Sequence, residues 1–418
     1  MCKRYASFIL SALILVFFVF ACYGEEAPQS SVVKITGEKG SWRLEVNGKP
    51  FYIKGVNVTC MTGAGGGDYL KMAQELGANA VRTRETAQGT QEYFDAALKY
   101  GLMVNAGIRI DGTDETNKAG IIEYVNKFKN HPALLMWNMT GGMFSASKDE
   151  AELAAFVKFL DELAQAMHSA DPNHPVIFSA EDLSALAYVK EHAPDIDILG
   201  MDIYDSVKIK HAGYLKSGLN TPYVVTEYGP HRPQDVKKDP SGAPLEEADR
   251  QKGSIYGDMT REINGFKGYN LGGFAFQLGE ITEGSFTWWN VNYKLLKFSS
   301  YWEIYRIYSG SKPSNLPPRV ASLKLGKTKR IKPGEAVNIF AEAADSDSNP
   351  LDYSFAVSTV HGGASEYGAE EDVPVKFYNE GTKFKMTAPD AKGLYRLYFF
   401  VNDGYGNAAS ANRSFKVE

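Results

Sequence analysis

The feature that most constrains this chain is an alternation. Eight short apolar runs, at 51–58, 78–84, 102–110, 133–139, 175–179, 198–204, 223–229 and 272–278, are separated by stretches of helical period. Those stretches lie at 69–76, 91–100, 119–128, 150–167, 184–191, 211–216, 246–266 and 301–308. Eight strands alternating with eight helices over about 260 residues is the length and rhythm of a (β/α)₈ barrel. The runs are near-continuously apolar, as strands covered on both faces should be. A doubly wound open sheet would alternate in the same way, but it would carry a phosphate-binding turn after its first strand. Gly63-Ala64-Gly65-Gly66-Gly67 occupies that place. It lacks a following Lys-Ser/Thr, and no acidic ribose ligand ends the second strand, so it reads as a loop at the barrel mouth.

The flanks add two smaller units. Val33-Lys34-Ile35 and 42–46 alternate, and Asn47-Gly48 is a strong turn signal, which predicts a β-hairpin leading into the barrel. Residues 311–318, Ser-Lys-Pro-Ser-Asn-Leu-Pro-Pro, have linker composition. Beyond them, short strands at 319–325, 336–343, 351–357, 384–387, 394–401 and 410–417 predict an immunoglobulin-like β-sandwich. Asp345, Asp347 and Asp403 could ligate calcium; two acidic turns account for them more simply. The expected fold is therefore α/β: a (β/α)₈ TIM barrel over 32–310, with its N-terminal hairpin, and an all-β sandwich over 319–418.

The N-terminus carries a targeting signature. Lys3 and Arg4 precede an apolar run at 8–20, too short for a comfortable membrane span. The run ends in Val19-Phe20-Ala21-Cys22, which resembles a bacterial lipobox, although Phe20 is bulky for that pattern and ordinary signal cleavage is the alternative. The expectation is a signal over 1–22 with lipidation at Cys22, a tether over 23–31, and an exported lipoprotein of the cell envelope held to the membrane by its lipid. Past the anchor only Cys60 remains, which cannot form an internal disulfide. The seven histidines show no His-x-x-x-His pair, so no zinc site is expected. A net charge of −5 with no basic run gives nucleic-acid binding no support. Aromatics at 12% suit a sugar-gripping surface but equally a large core.

Barrel active sites lie at the C-terminal ends of the strands. Charged and aromatic residues collect there: Arg82 to Glu85 after strand two, Arg109-Ile110-Asp111 after strand three, Trp137-Asn138-Met139-Thr140-Gly141-Gly142 on strand four, Asp202-Ile203-Tyr204 on strand six, Thr226-Glu227-Tyr228-Gly229 on strand seven, and Glu280, Glu283, Trp288 and Trp289 after strand eight. Phe51 to Asn57, Gly77 to Thr83, His131 to Trp137 and Thr226 to Gly229 together resemble, in order, the motifs of glycoside hydrolase family 2 and related β-glucan-acting barrels over roughly residues 50 to 310. The resemblance implies a retaining O-glycosyl hydrolase or transglycosidase that needs no cofactor and acts on a β-linked oligo- or polysaccharide such as a β-glucan. It implies Glu227 as nucleophile, Arg82 and Tyr204 as its partners, and Trp137, Asn138, Asp202, Tyr228, Trp288 and Trp289 as substrate-binding residues.

One motif departs from that pattern. The family ends strand four in Trp-x-x-Gly-Asn-Glu, where the Glu protonates the leaving oxygen and the Asn holds a sugar hydroxyl. Here Gly141 and Gly142 stand in those two places, which predicts a gap at the mouth. General acid assistance is typically worth about 10²–10⁴ in rate. Three readings follow: the acid has moved to Glu85, Asp111, Glu280 or Glu283; the protein binds glycan without cleaving it; or it turns over only substrates with good leaving groups. A scaffold whose sandwich binds a partner is a fourth.

Overall fold

The computed structural model describes residues 29–63, 66–110, 112–141, 149–360, 370–380 and 383–418. Cys22, Asp111 and Gly142 lie outside the described residues. Strands β1 (Val33–Thr36), β2 (Arg43–Val46) and β3 (Lys49–Phe51) form an antiparallel sheet in that order. Asn47 (φ 51°) and Gly48 (φ 74°) make the tight turn between β2 and β3, both central residues having the positive φ that a type I′ turn demands. The hairpin expected from sequence thus gains a third strand. Its buried Val33 and Leu44 pack with Ile53, Ala80, Met136, Ile177, Ile198 and Val224, so this sheet plugs the N-terminal end of the barrel.

The barrel follows as β4 (Ile53–Asn57), α1 (Tyr69–Glu75), β5 (Ala80–Arg82), α2 (Gln91–Lys99), β6 (Met103–Arg109), α3 (Glu115–Phe128), β7 (Leu134–Thr140), α4 (Glu150–Ala170), β8 (Val176–Ala180), α5 (Leu183–His192), β9 (Ile198–Ile203), α6 (Val207–Lys216), β10 (Tyr223–Tyr228), α7 (Asp249–Gly265) and β11 (Asn270–Ala275). All neighbouring strands pair in parallel, and β11 closes on β4. The short strands β12 (Asn292–Tyr293) and β13 (Leu296–Lys297) then lead into α8 (Ser299–Ser309). Asp68, Thr90, Asp114, Asp149, Asp182 and Ser206 each accept a backbone N–H of the helix they precede. Such caps satisfy donors that a helix start would otherwise leave unpaired, by typically ~1 kcal/mol.

Strand alternation decides what reaches the axis. Val56, Val81, Val104, Trp137, Phe178, Leu199, Val225 and Tyr228 pack outward in the core shared with the helices. Their neighbours Asn57, Arg82, Asn105, Asn138 and Glu227 are the polar residues left for the interior. Adjacent residues of a regular strand face opposite ways, and a register shift between Val225 and Glu227 lets Val225 and Tyr228 both face outward.

Among the described residues the C-terminal sandwich has seven strands: β14 (Arg319–Leu325), β15 (Ala336–Ala344), β16 (Asp352–Thr359), β17 (Phe377–Glu380), β18 (Lys383–Thr387), β19 (Gly393–Asn402) and β20 (Ala408–Val417). They form a sheet β14-β15-β18-β17 facing a sheet β16-β19-β20, over a core of Leu323, Ile339, Val357, Met386, Leu397, Phe399 and Phe415. β17 is absent from the sequence reading because Phe-Tyr-Asn-Glu on an edge carries little apolar signal. Asp345 Oδ1 accepts from the Asp347 and Asn349 N–H groups, and Asp403 Oδ1 from those of Tyr405 and Asn407, so both acids hold turns. Among the described residues no group of three or more His, Cys, Asp or Glu could hold a metal, and no helix is long and apolar enough to cross a membrane.

Candidate active site

At the C-terminal rim one carboxylate is held from two sides. Glu227, near the end of β10, is 8% exposed. Its Oε1 accepts from Arg82 on β5 at 2.6 Å, and its Oε2 accepts from the hydroxyl of Tyr204 just beyond β9. The guanidinium is itself fixed. It donates to Asn57 Oδ1 on β4 at 2.8 Å, and its Nε reaches the Asn138 side-chain oxygen on β7 at 2.8 Å when that amide is oriented to donate to Ser179. Asn57 in turn donates to the Thr226 carbonyl at 3.1 Å. Five strands thus converge on one ion pair. With its planar fork shared among fixed acceptors, Arg82 is placed before any ligand arrives.

The electrostatics separate the neighbouring acids. Burial pushes the Glu227 carboxyl up, but Arg82, Arg84 and the Tyr204 hydrogen bond outweigh it, and its pKa ends below the ordinary value. Asp202, paired in register with Glu227 on β9, goes the other way. Burial and the Glu227 charge raise it to about 7 despite Arg82 and a 2.7 Å hydrogen bond from Thr226 Oγ1. Glu283, on the segment after β11, is likewise pushed to about 7 by burial and the Glu227 charge, with Arg84 opposing. Adjacent acids with pKa values driven apart are what acid–base chemistry at neutral pH requires.

Of the acids named from sequence, the structure brings Glu283 into the field of Glu227 and gives Glu280 another partner. Glu280 Oε1 accepts from Tyr69 at 2.5 Å, and Glu85 opens the turn after β5, its backbone carbonyl accepting from Gln88 at 3.1 Å. Four of the expected sugar contacts need correction. Trp137 is fully buried and donates to Asp171 at 2.8 Å on the helix side of β7. Tyr228 faces α7 and α8, its hydroxyl within 2.9 Å of Thr260 and 3.2 Å of Tyr308. Since Asn138 and Glu227 point inward, Trp137 and Tyr228, one residue away, must point outward. Trp288 and Trp289 are each 2% exposed, with their indole N–H groups bound to the His231 and Pro230 carbonyls, so neither offers an open face. Trp289 instead backs the Tyr204 ring at 5.6 Å between centroids. The gap expected at Gly141 is also closed, because a Cβ there would stand 2.9 Å from the Phe156 ring.

Two residues, Asn57 and Arg84, stand in the strand-end runs read from the sequence but were given no role there. Asn57 bridges Arg82 and β10. Arg84 is exposed at the mouth, its guanidinium 5.9 Å from the Phe276 ring centroid. Glu227, Glu283, Tyr204 and Asp202 all hold its charge in place, although burial opposes it. Among the described residues it has no hydrogen-bonded acid. Its position two residues past Arg82, just beyond the end of β5 at the rim, was the available signal.

A closed parallel barrel followed by a β-sandwich is a fold this chain shares with solved β-glucuronidases. In sequence, too, the chain is similar to β-glucuronidases. It is 28% identical to the pig enzyme (Sus scrofa) over 180 residues and 26% identical to the human enzyme (Homo sapiens) over 179, in each case 38% of this chain and 26% of the relative. Bacteroides uniformis β-glucuronidase 2, solved covalently bound to cyclophellitol-6-carboxylate aziridine, superposes with a TM-score of 0.53 at 13% identity, covering 92% of this chain and 48% of that one. The chain thus spans about a quarter of the curated relatives and about half of the solved structure, and the structural likeness is one of fold. No family model matches the sequence.

Proposed function

We propose that the protein is a retaining glycosidase acting on β-linked sugars, with Glu227 as nucleophile and Glu283 as the displaced acid. The observation that carries this reading is the ion pair itself. A buried carboxylate costs several kcal/mol unless it is paired and hydrogen-bonded, and this one sits at a barrel mouth with donors on both oxygens. In the proposed reaction Glu227 attacks the anomeric carbon as Glu283 protonates the leaving oxygen, giving a glycosyl ester. Glu283, now ionised, then takes a proton from water, which attacks the anomeric carbon and releases Glu227. Arg82 and Tyr204 hold the nucleophile in position. Arg84 offers a cation to an acidic sugar, which agrees with the glucuronide specificity in the relatives' names. Turnover of aryl β-glucuronides by the purified chain, measured beside neutral aryl glycosides, tests this; loss of turnover in Glu227→Gln is the expected result.

Gly141, backed by Phe156, favours a second reading, a glycan-binding protein without hydrolysis. Binding on a glycan array, undiminished in Glu227→Gln and without cleavage of any glycoside, is its signature. The location we propose is the cell envelope, with a lipid on Cys22. Cys22→Ser should then move the protein from the membrane fraction to the soluble one; retention in the membrane contradicts the anchor.

A further inference from the structure

Strand β19 reads as an almost unbroken apolar run, and both of its faces are used. Leu397, Phe399 and Val401 fill the sandwich core. Arg396, Tyr398 and Phe400, on the other face, lie against the barrel. Tyr398 stacks on Phe286 at 5.0 Å and its hydroxyl accepts from the Phe286 N–H at 3.2 Å. Phe400 stacks on Tyr293 at 3.9 Å. The Glu370 N–H donates to the Thr282 carbonyl at 2.9 Å, one residue before Glu283. Gly284, at φ 77°, packs so closely that a Cβ would stand 2.7 Å from Pro233.

A buried charge cluster ties the same pieces together. Arg396 donates from Nε to Glu370 at 3.0 Å and lies 3.6 Å from Glu246. Glu246, from the loop after β10, also accepts from Lys252 at 2.7 Å, Ser285 at 2.7 Å, Thr287 at 2.6 Å and Asn412 at 2.8 Å. Its donors therefore come from helix α7, from the segment 276–291 and from the sandwich. Trp289, two residues past Thr287, backs Tyr204, which binds Glu227. Both loops flanking the carboxylate are thus pinned to one acid that the sandwich helps to neutralise.

We propose that the sandwich is a working part of the site: Arg396, acting through Glu246, is a positioning residue that holds the segment 276–291 so that Glu283 faces Glu227 and Arg84. The role given to Glu283 rests on the glycosidase reading; the holding of the segment does not.

The test compares the full chain with Arg396→Met, Arg396→Lys and Asn412→Leu, reading pH–rate profiles on aryl and alkyl glycosides and hydrogen exchange of 276–291. Arg396→Met should lower kcat/KM on the alkyl substrate by roughly 10–100-fold, the scale of a catalytic group misplaced by about an ångström. Its alkaline limb should move to lower pH as Glu283 leaves the Glu227 charge and its burial. Exchange should rise in 276–291 while the barrel strands stay protected, and Arg396→Lys should recover most of the loss. Asn412→Leu, which removes one donor to Glu246, should shift the same readouts less, and it decides the matter if Arg396→Met does not fold. Unchanged exchange in 276–291 with an unchanged alkaline limb overturns the proposal. If the wild type cleaves no glycoside, the glycosidase reading fails, and exchange alone still decides whether Arg396 holds the segment.

Discussion

Three carboxyl groups within one rim behave differently because their partners differ. Glu227 meets a guanidinium and a phenol and stays ionised below the ordinary carboxyl range. Glu283 and Asp202 have burial and the Glu227 charge against them and titrate near 7. On the proposed glycosidase reading a nucleophile must be ionised and a general acid protonated, so turnover would run between these limits. That reading predicts a bell-shaped kcat/KM profile with its alkaline limb near pH 7. Glu283→Gln should flatten that limb and lower turnover of alkyl glycosides by about 10²–10⁴ while sparing aryl glycosides with good leaving groups. An alkaline limb that survives Glu283→Gln would assign it to another group, Asp202 being next. Arg82→Met should raise the acidic limb, since it removes the cation that most strongly opposes burial at Glu227.

At the scale of elements, the strands and helices were legible because each barrel strand is an apolar run between helical stretches. The rim was legible in part. Strand-end position put Arg82, Tyr204 and Glu227 on the rim, and it was the family resemblance that grouped them. Trp137 and Tyr228 were misplaced because the rim was read as a list of residues, whereas a strand sends neighbours to opposite faces. What filled the space beside Gly141 was not readable, because Phe156 comes from α4, and periodicity alone does not say which strand end a helix residue will meet. The burial of Trp288 and Trp289 depends on backbone carbonyls of the β10–α7 loop, which sequence periodicity does not register. Trp137 therefore belongs to the fold. Trp137→Ala should cost about 3–5 kcal/mol in denaturant unfolding, and the milder Trp137→Phe should leave kcat/KM near the wild-type value. A selective rise in KM for Trp137→Phe at unchanged stability would return this residue to the sugar site.

Across the whole molecule, buried acids of opposite tendency set how stability depends on pH. Glu227 and Glu246 are held below their ordinary values, so the stability they add is present above about pH 4.5 and is lost as pH falls. Asp202 and Glu283 at about 7, with Asp249 at about 6, work in the other direction. Raising the pH from 4 toward 7 ionises them first in the unfolded chain and so favours unfolding. We predict a maximum in Tm near pH 5, falling toward both pH 3 and pH 8; a Tm that rises steadily to pH 8 contradicts these assignments. The sandwich belongs to the same balance, since Arg396 and Asn412 both bear on Glu246.

The glycosidase reading stands or falls on one carboxylate. The most direct measurement is intact-mass and peptide mapping after incubation with cyclophellitol-6-carboxylate aziridine, the compound bound covalently in the Bacteroides uniformis relative. A single adduct on the peptide containing Glu227, absent from Glu227→Gln, is the predicted result. An unmodified wild-type chain, or an adduct on any other residue, contradicts it.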